Sequence, residues 1–285
     1  MIISYNYKSK NFGDKLNGWL WPKIIPDLID DNDTEVLVGI GTILNQKLRL
    51  RMPTAKKFIV FSSGVGYGKR LKLDSSIKFY CVRGPLSAKA LNLSPELGIT
   101  DGAVLVKKFF VAQTSKIYKY SYMPHIDFSG EGWQLTCEKL GFGYIDPSWP
   151  IETVISSIQK TEILLTEAMH GAIIADTFRI PWVPIISHPI INSFKWQDWC
   201  LSINLEYQSE MINRLHHPSQ KKDLLSPLRW INDWKRQNLA AKELDNISKK
   251  SKPLLSNEKH LSELIFRLEE KLEQLKRDFA SGIYF

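Results

Sequence analysis

The chain has 285 residues, 44% hydrophobic and 24% charged, with a net charge of +8 from 38 Lys+Arg against 30 Asp+Glu. That length allows one large core or two α/β domains. With no apolar run of about 18 residues, no transmembrane helix is expected. The start, Met1-Ile2-Ile3-Ser4-Tyr5, lacks the basic and apolar regions of a signal peptide. Cys81, Cys137 and Cys200 are far apart and form no CxxC pair. A zinc knuckle or disulfide framework is therefore not expected, and a reducing cytoplasm fits best. The basic excess falls in short clusters such as Lys56-Lys57 and Lys221-Lys222. Without a long basic run interleaved with aromatics, no nucleic-acid partner is expected. The excess serves solubility, or an anionic ligand or membrane surface.

Strand and helix signals alternate along the chain. Ile2–Tyr7 reads as a strand, Lys8–Gly13 as a polar loop, and Asp14–Trp21 as an apolar-periodic helix. Val36–Val38 is the next strand, running into Gly39-Ile40-Gly41-Thr42. Phe58–Phe61 is the third, running into Ser62–Gly66. Lys78–Val82 is the fourth, ending at Arg83-Gly84-Pro85, where Pro85 suits a helix start. Three short apolar runs that each end in a glycine-containing turn argue for a parallel sheet.

Lys107–Lys119 breaks this rhythm and is the expected domain boundary. The alternation resumes with strands at Tyr120–Pro124, Gly143–Asp146, Ile163–Thr166 and Trp182–Ile186. Helices are expected at Gly132–Leu140, Pro150–Lys160, Gly171–Phe178 and Phe194–Leu201. The expected fold class is α/β, with two Rossmann-like domains in series and a helical C-terminal tail. The corresponding ranges are 1–112, 113–225 and 226–285. A cleft between two such halves is the default ligand site. In the tail, Leu228–Asn246 reads as an amphipathic helix anchored by Trp230, Ile231 and Trp234. Leu261, Ile265, Leu268, Leu272, Leu275 and Phe279 form a heptad seam. That seam serves either packing on its own domain or homo-oligomer formation.

The candidate chemistry gathers at the ends of the strands. In Leu164-Leu165-Thr166-Glu167-Ala168-Met169-His170-Gly171 an apolar strand stops and a helix begins. Such a junction places a side chain at the carboxyl edge of a sheet, where open α/β folds bind ligands. Histidine there can give or take a proton near neutrality. His125 follows another strand end. Arg83 ends a buried strand and must meet an anion, either a ligand or a salt-bridge partner between domains. Asn11, Gly13 and Asp14 form a loop that lines the cleft, or Gly13 permits the turn and Asp14 caps the first helix. Gly41, Thr42 and Gly64 lie in turns that allow close backbone approach to a ligand. They lack the third glycine of a dinucleotide fingerprint and the lysine of a P-loop. Lys195 stands among Phe194, Trp196 and Trp199 on a helix, as a solvated residue or a ligand cation. Metal ligation is not favoured, since no pair has ligand spacing on one helix apart from Glu167 and His170 across a turn.

Taken together, Asn11–Asp14, Val38–Thr42, Phe61–Gly66, Val82–Gly84, Gly98–Ala103, Pro124-His125, Tyr144–Pro147 and Thr166–Ala172 resemble the polysaccharide pyruvyl transferase family, in the family's order. The resemblance implies a GT-B-like arrangement of two Rossmann-like domains. It implies transfer of a pyruvyl unit from phosphoenolpyruvate onto two hydroxyls of one sugar, forming a cyclic ketal and releasing phosphate. By resemblance, His170 corresponds to the catalytic histidine and Arg83 to an arginine that holds phosphoenolpyruvate. Lys195 corresponds to a basic residue downstream of the histidine. Some members carry an arginine two positions before the histidine, where this chain has Ala168. The expected partners are phosphoenolpyruvate and a saccharide acceptor, lipid-linked or of an exopolysaccharide, with peripheral contact at the inner membrane face. No redox cofactor or metal is expected. Glu167 and Asp14 are the candidates for the base. The alternatives are a GT-B-type glycosyltransferase using a nucleotide-sugar, and a non-catalytic scaffold.

Overall fold

The computed structural model describes residues 1–5, 8–213, 215 and 226–282, and of 226–234 only the backbone. The strands are β1 (Ile2–Ile3), β2 (Glu35–Val38), β3 (Lys57–Ser63), β4 (Ile77–Val82), β5 (Tyr118–Met123), β6 (Gly143–Tyr144), β7 (Thr161–Thr166), β8 (Trp182–Ile186) and β9 (Glu210–Met211). The helices are α1 (Phe12–Ile24), α2 (Leu48–Arg51), α3 (Pro85–Ala90), α4 (Glu131–Leu140), α5 (Ile151–Gln159), α6 (Met169–Thr177), α7 (Ser193–Ser202), α8 (Ser226–Lys250) and α9 (Glu258–Ala280). The expected strand residues Asn6 and Tyr7, and the side chains of the expected anchors Trp230, Ile231 and Trp234, lie outside what is described.

The chain forms two compact units. Unit 1 comprises Met1–Phe110, Asn192–Tyr207 and Ser256–Phe285; unit 2 comprises Val111–Ile191 and Gln208–Leu255. This division differs from the serial one expected. The first boundary falls close to residue 112, but α7 and α9 return to unit 1. Neither is the separate tail or second-domain helix that linear order suggested.

Unit 1 holds a parallel four-stranded sheet in the order β1-β2-β3-β4. Val36, Val38, Phe58, Val60 and Val82 share one buried cluster with Leu44, Leu48, Ala88 and Leu91. Strands buried on both faces read as unbroken apolar runs, which is why these were legible. Each such side chain contributes about 1.5–3 kcal/mol on full burial.

Helix α9 buries Leu261, Leu264, Leu268, Leu272 and Leu275. Its polar contacts are also with unit 1: Asp278 with Lys78 at 3.1 Å and Tyr80 at 2.8 Å, and Glu269 with Lys108 at 2.7 Å. Of the two alternatives the seam offered, the structure shows packing on the chain's own unit, where Leu261, Leu264, Leu268, Leu272 and Leu275 are buried.

Unit 2 holds a parallel five-stranded sheet in the order β6-β5-β7-β8-β9. Its core joins Tyr122, Leu165, Val183 and Ile185 to Trp133 and Cys137 of α4 and to Ala240, Leu244 and Ile247 of α8. Register pairs Met123 with Thr166, so the residues after β5 and after β7 leave the sheet side by side. Among the described residues no helix is long and apolar enough to cross a membrane.

Candidate functional site

In unit 1 the expected site residues gather at the carboxyl edge of the sheet. Asn11, rather than Asp14, caps α1: its side-chain oxygen accepts from the Gly13 N–H at 3.0 Å. Asp14 sits in the first turn, where a carboxylate suits the positive helix end. Burial raises its pKa, while a hydrogen bond from Ser9 and the charge of Lys195 pull it back. Lys195 belongs to this unit, not to the second half as expected, and its ammonium lies 5.8 Å from the centre of the Tyr67 ring.

Arg83 is fully buried, and its guanidinium already has partners. Nε donates to Asp198 at 3.0 Å, Nη1 to the Thr42 hydroxyl at 2.7 Å and Nη2 to the Val65 carbonyl at 2.8 Å. Asp198 also accepts from the Ser87 N–H and hydroxyl, at 2.9 and 2.5 Å. Arg83 thus finds its anion within its own unit. It ties the turns after β2 and β3 to α3 and α7 and is not an exposed clamp for a ligand. Gly41 has φ +129°, a conformation that requires glycine. A Cβ on Gly64 would lie 2.3 Å from Arg83 Cζ, so that glycine leaves room for the guanidinium. Thr42 is spent on the same network.

Asp198 and Asp101 were not singled out from the sequence. Asp101 is fully buried behind this network, and burial pushes its carboxyl up to about 6. Ser62, also buried, takes φ +63° at the end of β3. Its only sequence signal was the neighbouring glycine turn.

In unit 2, Glu167, His170 and His125 come together at the ends of β5 and β7. Helix α6 begins at Met169, earlier than expected, so His170 is its second residue and half-buried. The Thr166 hydroxyl accepts from the Ala168 N–H at 3.0 Å and fixes this entry. A Cβ on Gly171 would lie 2.6 Å from Met123 Sδ, so glycine lets α6 close onto the sheet.

Glu167 is fully buried, and one carboxylate oxygen accepts from the His125 N–H at 2.9 Å. Burial raises its pKa, and the hydrogen bond from the His125 N–H draws it part of the way back. The carboxylate is enclosed and has no exposure to solvent. Through its bond to the His125 N–H, Glu167 joins the ends of β5 and β7. The His125 ring accepts from the Asp127 N–H at 3.3 Å and lies 5.5 Å from Phe128, which is 5.5 Å from His188. Beyond Ser187 and His188 a cavity of about 610 Å³ opens at the ends of β8 and β9, with Arg236 and Leu239 of α8 on its wall. Among the described residues no three His, Cys, Asp or Glu side chains gather to hold a metal ion.

The chain is 40% identical over 206 residues to the succinoglycan biosynthesis protein ExoV of Rhizobium meliloti (strain 1021). The match covers 71% of this chain and 64% of that protein, so the chain spans less than two thirds of the relative's length. No family model matches. Among solved structures, the wall teichoic acid polymerase TagF aligns over 85% of this chain and 74% of its own, at 10% identity and a TM-score of 0.28.

Proposed function

We propose that this chain is a transferase of polysaccharide biosynthesis that moves the pyruvyl group of phosphoenolpyruvate onto two hydroxyls of one sugar residue, closing a cyclic ketal. The similarity to a succinoglycan biosynthesis protein supports the coarser part. The observation that carries the chemistry is His170, half-buried in the first turn of α6 at the carboxyl edge of the unit 2 sheet.

In this reading His170 gives a proton to the methylene carbon of phosphoenolpyruvate, which makes the adjacent carbon electrophilic. One sugar oxygen bonds to that carbon and its proton passes to a base. A second oxygen then bonds as the carbon–oxygen bond to phosphate breaks, and phosphate leaves with the second hydroxyl's proton. The base returns its proton to His170 through solvent. The positive end of α6 repels an imidazolium. The carboxylate and phosphate of the donor supply the offsetting negative charge, and Arg236 in the neighbouring cavity is a cation suited to such a donor. With Arg83 spent on Asp198, its part is to hold the turns rather than the donor.

Phosphate release from phosphoenolpyruvate, with oligosaccharides from partially hydrolysed succinoglycan as acceptor, tests the reading. His170→Ala should lower the rate by about 10²–10⁴-fold, with an unchanged melting temperature. Full activity in that variant would sink the mechanism. Binding of a nucleotide-sugar but not of phosphoenolpyruvate would transfer the case to a glycosyltransferase.

A further inference from the structure

The whole net charge of +8 resides in one stretch of unit 1. From Asn45 to Leu73 the chain carries eight Lys and Arg and no Asp or Glu, and the rest of the sequence is balanced. The fold brings the two ends of this stretch together. Asn45 and Arg70 form an antiparallel bridge, and the Gln46 N–H donates to the Lys69 carbonyl at 3.1 Å. Leu48 and Leu71 are buried in the cluster that packs on β2 and β3. Around them Lys47, Arg51, Lys69, Arg70 and Lys72 are exposed. Two of the eight cations have a carboxylate partner among the described residues: Arg49 with Asp74 at 2.6 Å and Lys57 with Glu35 at 3.3 Å. Two exposed leucines stand amid these charges. Leu50, two residues after Leu48 and so on the opposite side of the single turn α2, is 80% exposed, and Leu73 is 37% exposed.

We propose that this face of unit 1 docks on an anionic phospholipid bilayer, with its cations among the headgroup phosphates and Leu50 and Leu73 seated just below them. The inference stands apart from the pyruvyl-transfer reading, since it concerns a surface and not the reaction. A cluster of cations without matching carboxylates attracts a negative surface across about one Debye length, ~10 Å at 0.1 M salt. Charge alone would suit any polyanion, and the leucines decide among them. A nucleic-acid backbone or an acidic polysaccharide is hydrated and gives an exposed leucine nothing to be buried in. A bilayer interface gives it the boundary between headgroups and acyl chains. The Lys and Arg stems lie along the same apolar boundary while their charged ends reach phosphate. Two leucines make a shallow seat, so the cations supply most of the attachment and the contact is reversible.

Sedimentation of the full chain with vesicles tests the assignment. The protein should pellet with vesicles of equal parts phosphatidylglycerol and phosphatidylcholine and stay in solution with phosphatidylcholine alone. Raising the salt from about 0.1 M to 1 M should release most of it, because the Debye length falls from about 10 Å to 3 Å. The triple variant Lys69→Ala, Arg70→Ala, Lys72→Ala should partition about 10²-fold more weakly, at roughly fivefold per charge. Leu50→Asn should weaken partition by about tenfold without altering the charge. All four side chains are exposed, so neither variant should shift the melting temperature. Failure to bind the anionic vesicles, equal binding to phosphatidylcholine alone, or undiminished binding of the triple variant overturns the assignment. Undiminished binding of Leu50→Asn overturns it as well, in favour of a purely electrostatic surface for a soluble polyanion.

Discussion

Gly64 has no side chain because Arg83 fills the space one would occupy, with Cζ 2.3 Å from the position of a Cβ. Alanine at this position must therefore displace a guanidinium that balances the buried Asp198. Removing one partner of a buried pair costs about 3–5 kcal/mol, because the remaining charge has no compensation. Gly64→Ala should lose stability on that scale in urea denaturation; a loss below about 1 kcal/mol would show that Arg83 moves aside freely. Asp101, behind the same network, makes the opposite prediction. Its carboxyl is raised to about 6 when folded, from an ordinary 3.8. A raised value favours folding while the group is protonated, below about pH 4, and that advantage is lost as pH rises through 6. Asp101→Asn keeps an oxygen for the Ala103 N–H, which the carboxylate accepts at 3.0 Å. The variant should therefore be more stable than the parent by about 3 kcal/mol at pH 8, with the gain disappearing at pH 4.

Among the elements, the buried strands were legible and their partners were not. Phe58–Phe61 and Ile163–Thr166 read as strands because burial on both faces leaves an unbroken apolar run. β9, only two residues long, leaves no such run. The seam of α9 was equally plain, yet periodicity states that one face is covered without stating by what. The contacts of Leu261, Leu268 and Leu275 lie in unit 1. At the site, the strand ends located His170, Arg83 and Asn11, because a polar residue after an apolar run marks a sheet edge. Asp198 was missed for the same reason in reverse: an aspartate within a helix looks solvated, and its partner lies 115 residues away. Leu268→Ala should cost about 2–5 kcal/mol by removing a fully buried side chain. Its mass by light scattering should equal that of the parent. A lower mass in the variant would return α9 to the role of an oligomer seam.

At the scale of the whole molecule, unit 1 is assembled from three stretches of chain, and its last stretch closes it. Asn192–Tyr207 delivers Asp198 to Arg83, and Ser256–Phe285 covers the unit with five buried leucines. The two stretches are also joined: the ring nitrogen Nε2 of His260 lies 3.0 Å from the Ser202 carbonyl, and Ser202 in turn donates to Thr100 at 3.0 Å. A tail that merely followed two finished domains could be removed without consequence to either. A strap that completes the first unit cannot, because its removal bares the apolar face on which Leu264, Leu268 and Leu272 rest. Unit 2 keeps its own core when the chain stops at Leu255, since that core is drawn from residues 122 to 247. Deletion of 256–285 should therefore leave amide protons of β5, β7 and β8 protected from exchange while those of β2, β3 and β4 lose protection. Hydrogen exchange read by mass spectrometry distinguishes the cases. Equal loss in both sheets would mean that the units fold as one, and retained protection in β2–β4 would make α9 dispensable.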